Sequence, residues 1–207
     1  MSTAPPAPPD PRSYPATGMP DRDWWMALWP DPAGVLRSVG MRPGQRVLDL
    51  CCGDGYFTAP LARLVAPGLL AALDLSEEML TRARMAVAQA GVSTVRWVAG
   101  DAAELEALAP GPYDRVLLAN TLHGVPDPEA LGRSVHAVLA PGGEFVVINW
   151  HARPREQTPV LGSPRGPRTE LRLSPEETTR RLAPAGFIQV EVQNLGSYHY
   201  AVRYRRG

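Results

Sequence analysis

The chain contains no lysine: its 21 basic residues are all arginine, set against 21 Asp and Glu, so its formal net charge is zero. A zero balance offers no global field to gather nucleic acid or an anionic membrane surface. The lack of lysine excludes Schiff-base chemistry and a lysine general base. Cysteine is nearly absent as well. Cys51 and Cys52 are adjacent, which excludes an ordinary disulfide framework and fits a reducing, cytoplasmic setting. No apolar run approaches the roughly 20 residues needed to span a bilayer, and the amino terminus lacks the charged start and apolar stretch of a signal peptide. At 207 residues the chain suits one well-buried domain rather than two.

What is present is an alternation of strands and helices. Residues 1–20 hold seven prolines and few large apolar side chains, so this segment reads as a disordered lead-in to a single domain over 21–207. Met19 is an alternative start of translation. Trp24, Trp25, Leu28 and Trp29 fall within one or two helical turns. Asp31-Pro32 opens a helix as cap and first residue, ending near Gly40. Strands are expected at 45–50, 69–73, 94–99, 114–119 and 144–150, and helices at 57–65, 77–90 and 127–139. The order argues a parallel sheet covered on both faces. A loop over 151–173, rich in Pro, Gly and Arg, interrupts the pattern. Ser174-Pro175-Glu176-Glu177 then reads as a capping box opening a helix to about Ala185. Strands at 187–192 and 198–205 follow.

Residues 47–58, Val-Leu-Asp-Leu-Cys-Cys-Gly-Asp-Gly-Tyr-Phe-Thr, concentrate the chemistry. An apolar strand ends in a carboxylate, turns through two glycines and re-emerges as helix, as an open α/β sheet does when it presents a cofactor site. Gly53 and Gly55 permit positive φ angles and close approach of a ligand to bare backbone. Asp49 suits a cofactor with amino or hydroxyl donors. A dinucleotide loop has glycine at the third position of G-x-G-x-x-G, where this chain has Thr58, so the loop suits a nucleoside without a pyrophosphate. Asp74, after Leu-Leu-Ala-Ala-Leu, ends the second strand, where a carboxylate accepts from ribose hydroxyls. The alternative for Asp74 is a carboxylate at a helix entry.

The segment resembles the glycine-rich motif of class I S-adenosylmethionine-dependent methyltransferases, acidic-x-Gly-x-Gly-x-Gly, with Cys51 in place of the first glycine. Motifs support the resemblance over roughly 31–150, and topology alone supports it in the tail. It implies an α/β, Rossmann-like, doubly wound seven-stranded sheet in the order 3-2-1-4-5-7-6, mostly parallel with an antiparallel C-terminal hairpin. It also implies S-adenosyl-L-methionine as cofactor, no metal, and an enzyme of the small-molecule methyltransferase type. The cofactor-binding positions carried over are Asp49, Cys51, Gly53, Gly55, Asp74, Leu75, Asp101, Ala102 and Asn120. Among these, Asp101 would accept from the adenine amino group with the Ala102 N–H on a ring nitrogen, and Asn120 would face the methionine part. Asp101 alternatively caps a short turn.

Methyl transfer from a sulfonium is an in-line displacement in which positioning supplies much of the rate. A general base is needed only where the acceptor must lose a proton. His123 and His151 follow the fourth and fifth strands and are the candidate bases, although a lone histidine is more often structural. The loop 151–173 carries Arg153, Arg155, Arg165, Arg168 and Arg172 against Glu156 and Glu170. It is placed to act as a substrate lid, and arginine suits carboxylates and phosphates. The expected acceptor is therefore a small anionic or polar molecule. Arg153, Arg155 and Arg165 are its candidate binders, alongside Trp24, Trp25 and Tyr198. Two other readings stay open: the arginines pair with surface carboxylates, and the tryptophans simply anchor their helix. Asn120-Thr121-Leu122-His123 lacks the Pro-Pro-aromatic run of nucleic-acid amino-methylating relatives, so no nucleic acid partner is expected. No membrane partner is expected either, and the chain is read as a monomer or homodimer. Two other functions compete: a catalytically inactive cofactor-binding partner protein, and a nicotinamide-dependent oxidoreductase, against which Thr58 and the missing lysines weigh.

Overall fold

The computed structural model describes residues 14, 15 and 17–207. The proline-rich lead-in read over 1–20 therefore lies mostly outside the described residues. Its described end, from Tyr14 to Pro20 apart from residue 16, lies against the cavity set out below.

Seven strands form one sheet: β1 (Arg46–Leu50), β2 (Leu69–Asp74), β3 (Val95–Ala99), β4 (Tyr113–Ala119), β5 (Leu139–Trp150), β6 (Phe187–Leu195) and β7 (His199–Arg206). Their order is β3-β2-β1-β4-β5-β7-β6. The first five pair in parallel, while β7 runs antiparallel to both β5 and β6. The fold is thus the expected Rossmann-like one. Among the described residues seven α-helices accompany the sheet: α1 (Arg22–Leu28), α2 (Pro32–Ser38), α3 (Thr58–Val65), α4 (Glu77–Gln89), α5 (Leu105–Leu108), α6 (Pro128–Val138) and α7 (Pro175–Leu182). Among the described residues no helix is long and apolar enough to cross a membrane.

Side chains alternate across the pleat, which divides the core in two. Leu48, Leu50, Val116, Leu118 and Val147 pack in one layer with Leu131, Val135 and Leu182 of α6 and α7. Val47, Leu117, Val146 and Ile148 pack in the other with Trp25, Leu36 and Leu61 of α1, α2 and α3. The helices begin where the sequence signals them. Asp31, Ser76, Asp127 and Ser174 accept from the N–H groups of Gly34, Met79, Ala130 and Glu177, respectively, each satisfying one orphan donor of a first turn.

Two local features depart from the sequence reading. β5 starts at Leu139, not at Glu144, because Leu139 pairs with Tyr113 and the Pro141-Gly142-Gly143 turn becomes a bulge within the strand. Glu177 does not close the capping box at Ser174. It pairs instead with Arg180 and Arg181, and the Ser174 hydroxyl donates to Glu176 at 2.7 Å.

Candidate functional site

A cavity of about 800 Å³ opens at the carboxyl ends of β1–β5, where an open α/β sheet binds its ligands. The turn after β1 shapes it. Cys51 and Gly53 adopt φ of 59° and 55°, so Cys51 holds a left-handed conformation that a side chain disfavours by about 1–2 kcal/mol. That backbone is why a glycine serves well at this position. The two glycines have different tasks. A Cβ on Gly55 would meet Ala83 Cα of α4 at 2.7 Å, so its bareness lets the turn pack on the helix. Gly53 instead lines the cavity, where a Cβ would first meet the flexible side chain of Met19, at 2.6 Å.

Asp74, at the end of β2, ties the turn down. Its two carboxylate oxygens accept from the N–H of Gly53 at 2.8 Å and of Ser76 at 3.0 Å. A carboxylate has about four acceptor positions, so further donors can still be received. Burial raises its pKa, and the N–H donors of Ser76, Gly53 and Leu75 oppose the rise. Asp49 is 2% exposed and receives the Thr58 hydroxyl at 2.6 Å. Burial pushes its carboxyl up to about 7, against the Thr58 bond and with a smaller push from Asp74. Thr58, standing where a dinucleotide loop has its third glycine, is therefore the clamp on Asp49. Burial also raises the Cys51 and Cys52 thiols, which keeps them protonated and unsuited to nucleophilic or metal chemistry.

Asp101 stands just past β3 and caps the turn that follows, the alternative reading given for it. One oxygen caps the following turn by accepting from Ala103 N–H at 2.9 Å, and the residue also lines the cavity with Ala102 and Leu75. Asn120 follows β4 at φ 58°, its N–H bonded to Ile148 carbonyl at 2.8 Å. Its amide oxygen and nitrogen are both buried and unpartnered, an expensive arrangement for an amide with no ligand to meet. Three residues on, His123 lines the cavity, with Nδ1 3.2 Å from Asn149 Oδ1. That oxygen also accepts the Trp150 N–H at 3.0 Å. Being an acceptor, it suits the tautomer that carries the imidazole proton on Nδ1.

The structure does not bring His151 to the cavity. Alternation along β5 turns Trp150 toward it and His151 to the opposite face, where the ring packs 5.2 Å from Tyr200. Burial and Arg153 lower its pKa. Arg153 and Tyr198 also stay outside. Arg153 donates to Ser197 carbonyl at 3.3 Å, while Tyr198 stacks on Trp150 and donates to Pro159 carbonyl at 3.0 Å. Arg155, Arg165, Trp24 and Trp25 do line the cavity. The strap 151–173 is folded, with a small ribbon pairing Pro159–Val160 with Ser163–Pro164. Arg172 pins it, donating to Pro167 and Arg165 carbonyls and the Thr158 hydroxyl while its guanidinium lies 4.9 Å over Trp150. Burial lowers its pKa to about 10. Arg165 lies 5.4 Å over Trp24. Among the described residues no carboxylate comes within 4.0 Å of Arg155, Arg165 or Arg172, whereas Arg168 pairs with Glu170 at 3.7 Å.

Trp150 was not among the expected site residues. The signal for it was period-two alternation, which sets it apart from its neighbour His151 at the end of β5. The segment from Tyr14 to Pro20 carried no such signal.

Residues 47–143 match the family model described as a methyltransferase domain. The chain is 26% identical to a SAM-dependent methyltransferase structure from Aquifex aeolicus, with a TM-score of 0.75 and coverage of 88% of this chain and 92% of that one. A methyltransferase structure from Mesorhizobium loti superposes with a TM-score of 0.65 at 25% identity, covering 87% and 98%. Among curated proteins, demethylmenaquinone methyltransferase of Staphylococcus aureus is 35% identical over 115 residues, covering 55% of this chain and 46% of that protein. The chain thus spans about half the length of the curated relatives it matches.

Proposed function

We propose that this chain, a class I S-adenosylmethionine-dependent methyltransferase by its fold and matched domain, transfers a methyl group to a small anionic molecule. One observation carries the reading. Asp101, Asp74, Asp49 and Asn120 stand at or just past the ends of β3, β2, β1 and β4, neighbours in the sheet, and all four line one cavity. Strands spaced by about 4.8 Å put three such steps at about 14 Å, a row fit for an extended nucleoside joined to an amino acid.

The donor set fits S-adenosylmethionine. Asp101 and the Ala102 N–H would hold the adenine edge, and Asp74 the ribose hydroxyls. Asp49 and the unpartnered Asn120 amide would hold the amino-acid end, with Gly53 allowing close approach. When bound, the cofactor supplies an electrophilic methyl on a positively charged sulfur. His123, which lines the cavity, would take the acceptor's proton, while Arg155 and Arg165 hold its negative charge. A cation bound beside Asp49 would draw this carboxyl, which burial raises to about 7, toward its ionised form, in a site where charges act more strongly than in water.

The test is calorimetric titration of the wild type and Asp74→Ala with S-adenosylmethionine and S-adenosylhomocysteine. Micromolar binding, weakened roughly tenfold or more by the substitution, is expected, since hydrogen bonds to a charged group are lost. Absence of binding by either ligand to the folded wild type would overturn the reading.

A further inference from the structure

The row of strand ends is the floor of the cavity, and Tyr14, Pro15 and residues 17–20 line it as well. Tyr14 packs against the core layer of α6 and α7, beside Cys51, while Met19 packs against the layer of α1, α2 and α3. Those layers lie on opposite faces of the sheet. The stretch between Tyr14 and Met19 therefore crosses the carboxyl ends of the strands, over the row that Asp101, Asp74, Asp49 and Asn120 form. Pro15 and Gly18 are exposed and yet line the cavity, so this roof is one chain thick.

Two glycines receive the roof from below. A Cβ on Gly124, past β4, would meet the Pro15 carbonyl oxygen at 2.2 Å and Thr17 Cγ2 at 2.7 Å. One on Gly53, in the turn after β1, would meet Met19 Sδ at 2.6 Å. Tyr14 reaches toward the far end of the row. Burial raises the pKa of its hydroxyl, with smaller pushes from Cys51 and Asp101, residues that follow β1 and β3 on either side of β2. The ring thus belongs to the part of the row suited to the nucleoside.

The roof is fixed firmly at one end only. α1, which follows it, is held to the glycine turn. Tyr56 donates to Trp29 carbonyl at 2.6 Å, the Trp25 and Tyr56 rings lie 6.2 Å apart, and Arg22 stands 3.9 Å from Asp54. Among the described residues no backbone hydrogen bond joins Tyr14, Pro15 or residues 17–20 to the rest of the domain. The Thr17 hydroxyl donates to Tyr14 carbonyl at 2.7 Å, inside the segment itself. A stretch seated by side-chain packing without backbone bonds opens at small cost.

We propose that Tyr14, Pro15 and residues 17–20 form a lid over the nucleoside end of the cofactor, seated by Tyr14 and Met19, and that the cofactor enters and leaves as this lid lifts from α1. A nucleoside on the floor gives the lid a surface to close on, and the closed lid holds the nucleoside in place. Contacts of this kind act mainly on the rate at which a ligand departs. This assignment rests on the methyl-transfer reading above.

The test begins with hydrogen exchange in the wild type, with and without S-adenosylhomocysteine. Exchange in peptides spanning residues 14–20 should slow about tenfold or more in the complex. Stopped-flow tryptophan fluorescence then gives dissociation rates for S-adenosylhomocysteine and for 5′-methylthioadenosine, its nucleoside part. Gly124 is not at a positive φ, so Gly124→Ala simply adds a methyl where Pro15 is seated. Gly124→Ala and Tyr14→Ala should each speed the departure of both ligands about tenfold or more. Tyr14→Phe keeps the packed ring and should stay near the wild type. Exchange at 14–20 that is unchanged by the ligand, or departure rates that neither alanine variant alters, would overturn the lid alone. Failure of the folded wild type to bind S-adenosylhomocysteine overturns the reading beneath it.

Discussion

Asp49 shows what a buried carboxyl at the cavity costs its own fold. Its carboxyl is buried and raised to about 7, so the unfolded chain loses this proton near pH 4 and the folded chain only near pH 7. Between those values the native state binds more protons, and stability falls as pH rises, levelling off above pH 7. Three units correspond to on the order of 4 kcal/mol. Asp49→Asn keeps an oxygen for the Thr58 hydroxyl and removes the titration. Chemical denaturation from pH 4 to pH 8 should therefore show the wild type losing stability that the variant retains. S-adenosylhomocysteine, whose amino group is cationic, should bind the wild type more tightly as pH rises through 7, and the variant weakly at every pH. A wild type equally stable at pH 5 and pH 8 would contradict a neutral Asp49 at the lower value. Cys51 is a smaller case of the same kind, since its thiol sits on backbone that favours glycine.

At the scale of elements, the strap 151–173 depends on one side chain. Arg172 is 6% exposed, and its donors reach three strap oxygens, two of which, the Thr158 hydroxyl and the Arg165 carbonyl, also bond each other at 3.0 Å. A buried guanidinium with no carboxylate beside it persists because these oxygens and the Trp150 face take the place of water. Arg172→Met leaves the Pro167 carbonyl without this donor, at about 1–3 kcal/mol if it stays dry, while the Arg165 carbonyl keeps the Thr158 hydroxyl. Hydrogen exchange should accelerate over residues 155–172 while β1–β5 keep their protection, and acceptor KM should rise with cofactor affinity intact. Uniform acceleration across the sheet would show that Arg172 supports the whole fold and not the strap alone. The main elements were legible in sequence because caps such as Asp31-Pro32 and Asp127-Pro128, and apolar runs such as Leu69–Asp74, are local signals. The strap was not legible: its order comes from contacts that Arg172 makes with Pro167, Arg165 and Thr158, and no periodicity encodes them. Likewise α5 escaped notice, being four residues long and too short for a helical period to declare itself.

For the whole molecule, topology turns sequence into a spatial order. Residues 101, 74, 49, 120 and 150 are scrambled along the chain, yet the strand order β3-β2-β1-β4-β5 sets them in a line. The part of that line from Asp101 to Asn120 was readable because each of its residues stands at or just past the end of a recognisable strand. The lining beyond β4 was only partly so, because facing at the end of β5 separates Trp150 from His151, and strap packing separates Arg165 from Arg153. A line of this kind predicts that ligand fragments divide along it. 5′-Methylthioadenosine carries the nucleoside without the amino-acid end, so it should engage Asp101 and Asp74 and leave Asn120 unmet. Saturating ligand at about 100 times its Kd adds about 2.7 kcal/mol, which in a chain of this size raises Tm by roughly 5–10 °C. Asp74→Ala should reduce the rise given by 5′-methylthioadenosine and by S-adenosylhomocysteine at fixed concentration. Asn120→Gly, which suits the positive φ at that position and removes only the side chain, should reduce the rise given by S-adenosylhomocysteine alone. Equal losses with both ligands in Asn120→Gly would mean that the nucleoside reaches past β1, and the assignment of one ligand part to each strand end would fall.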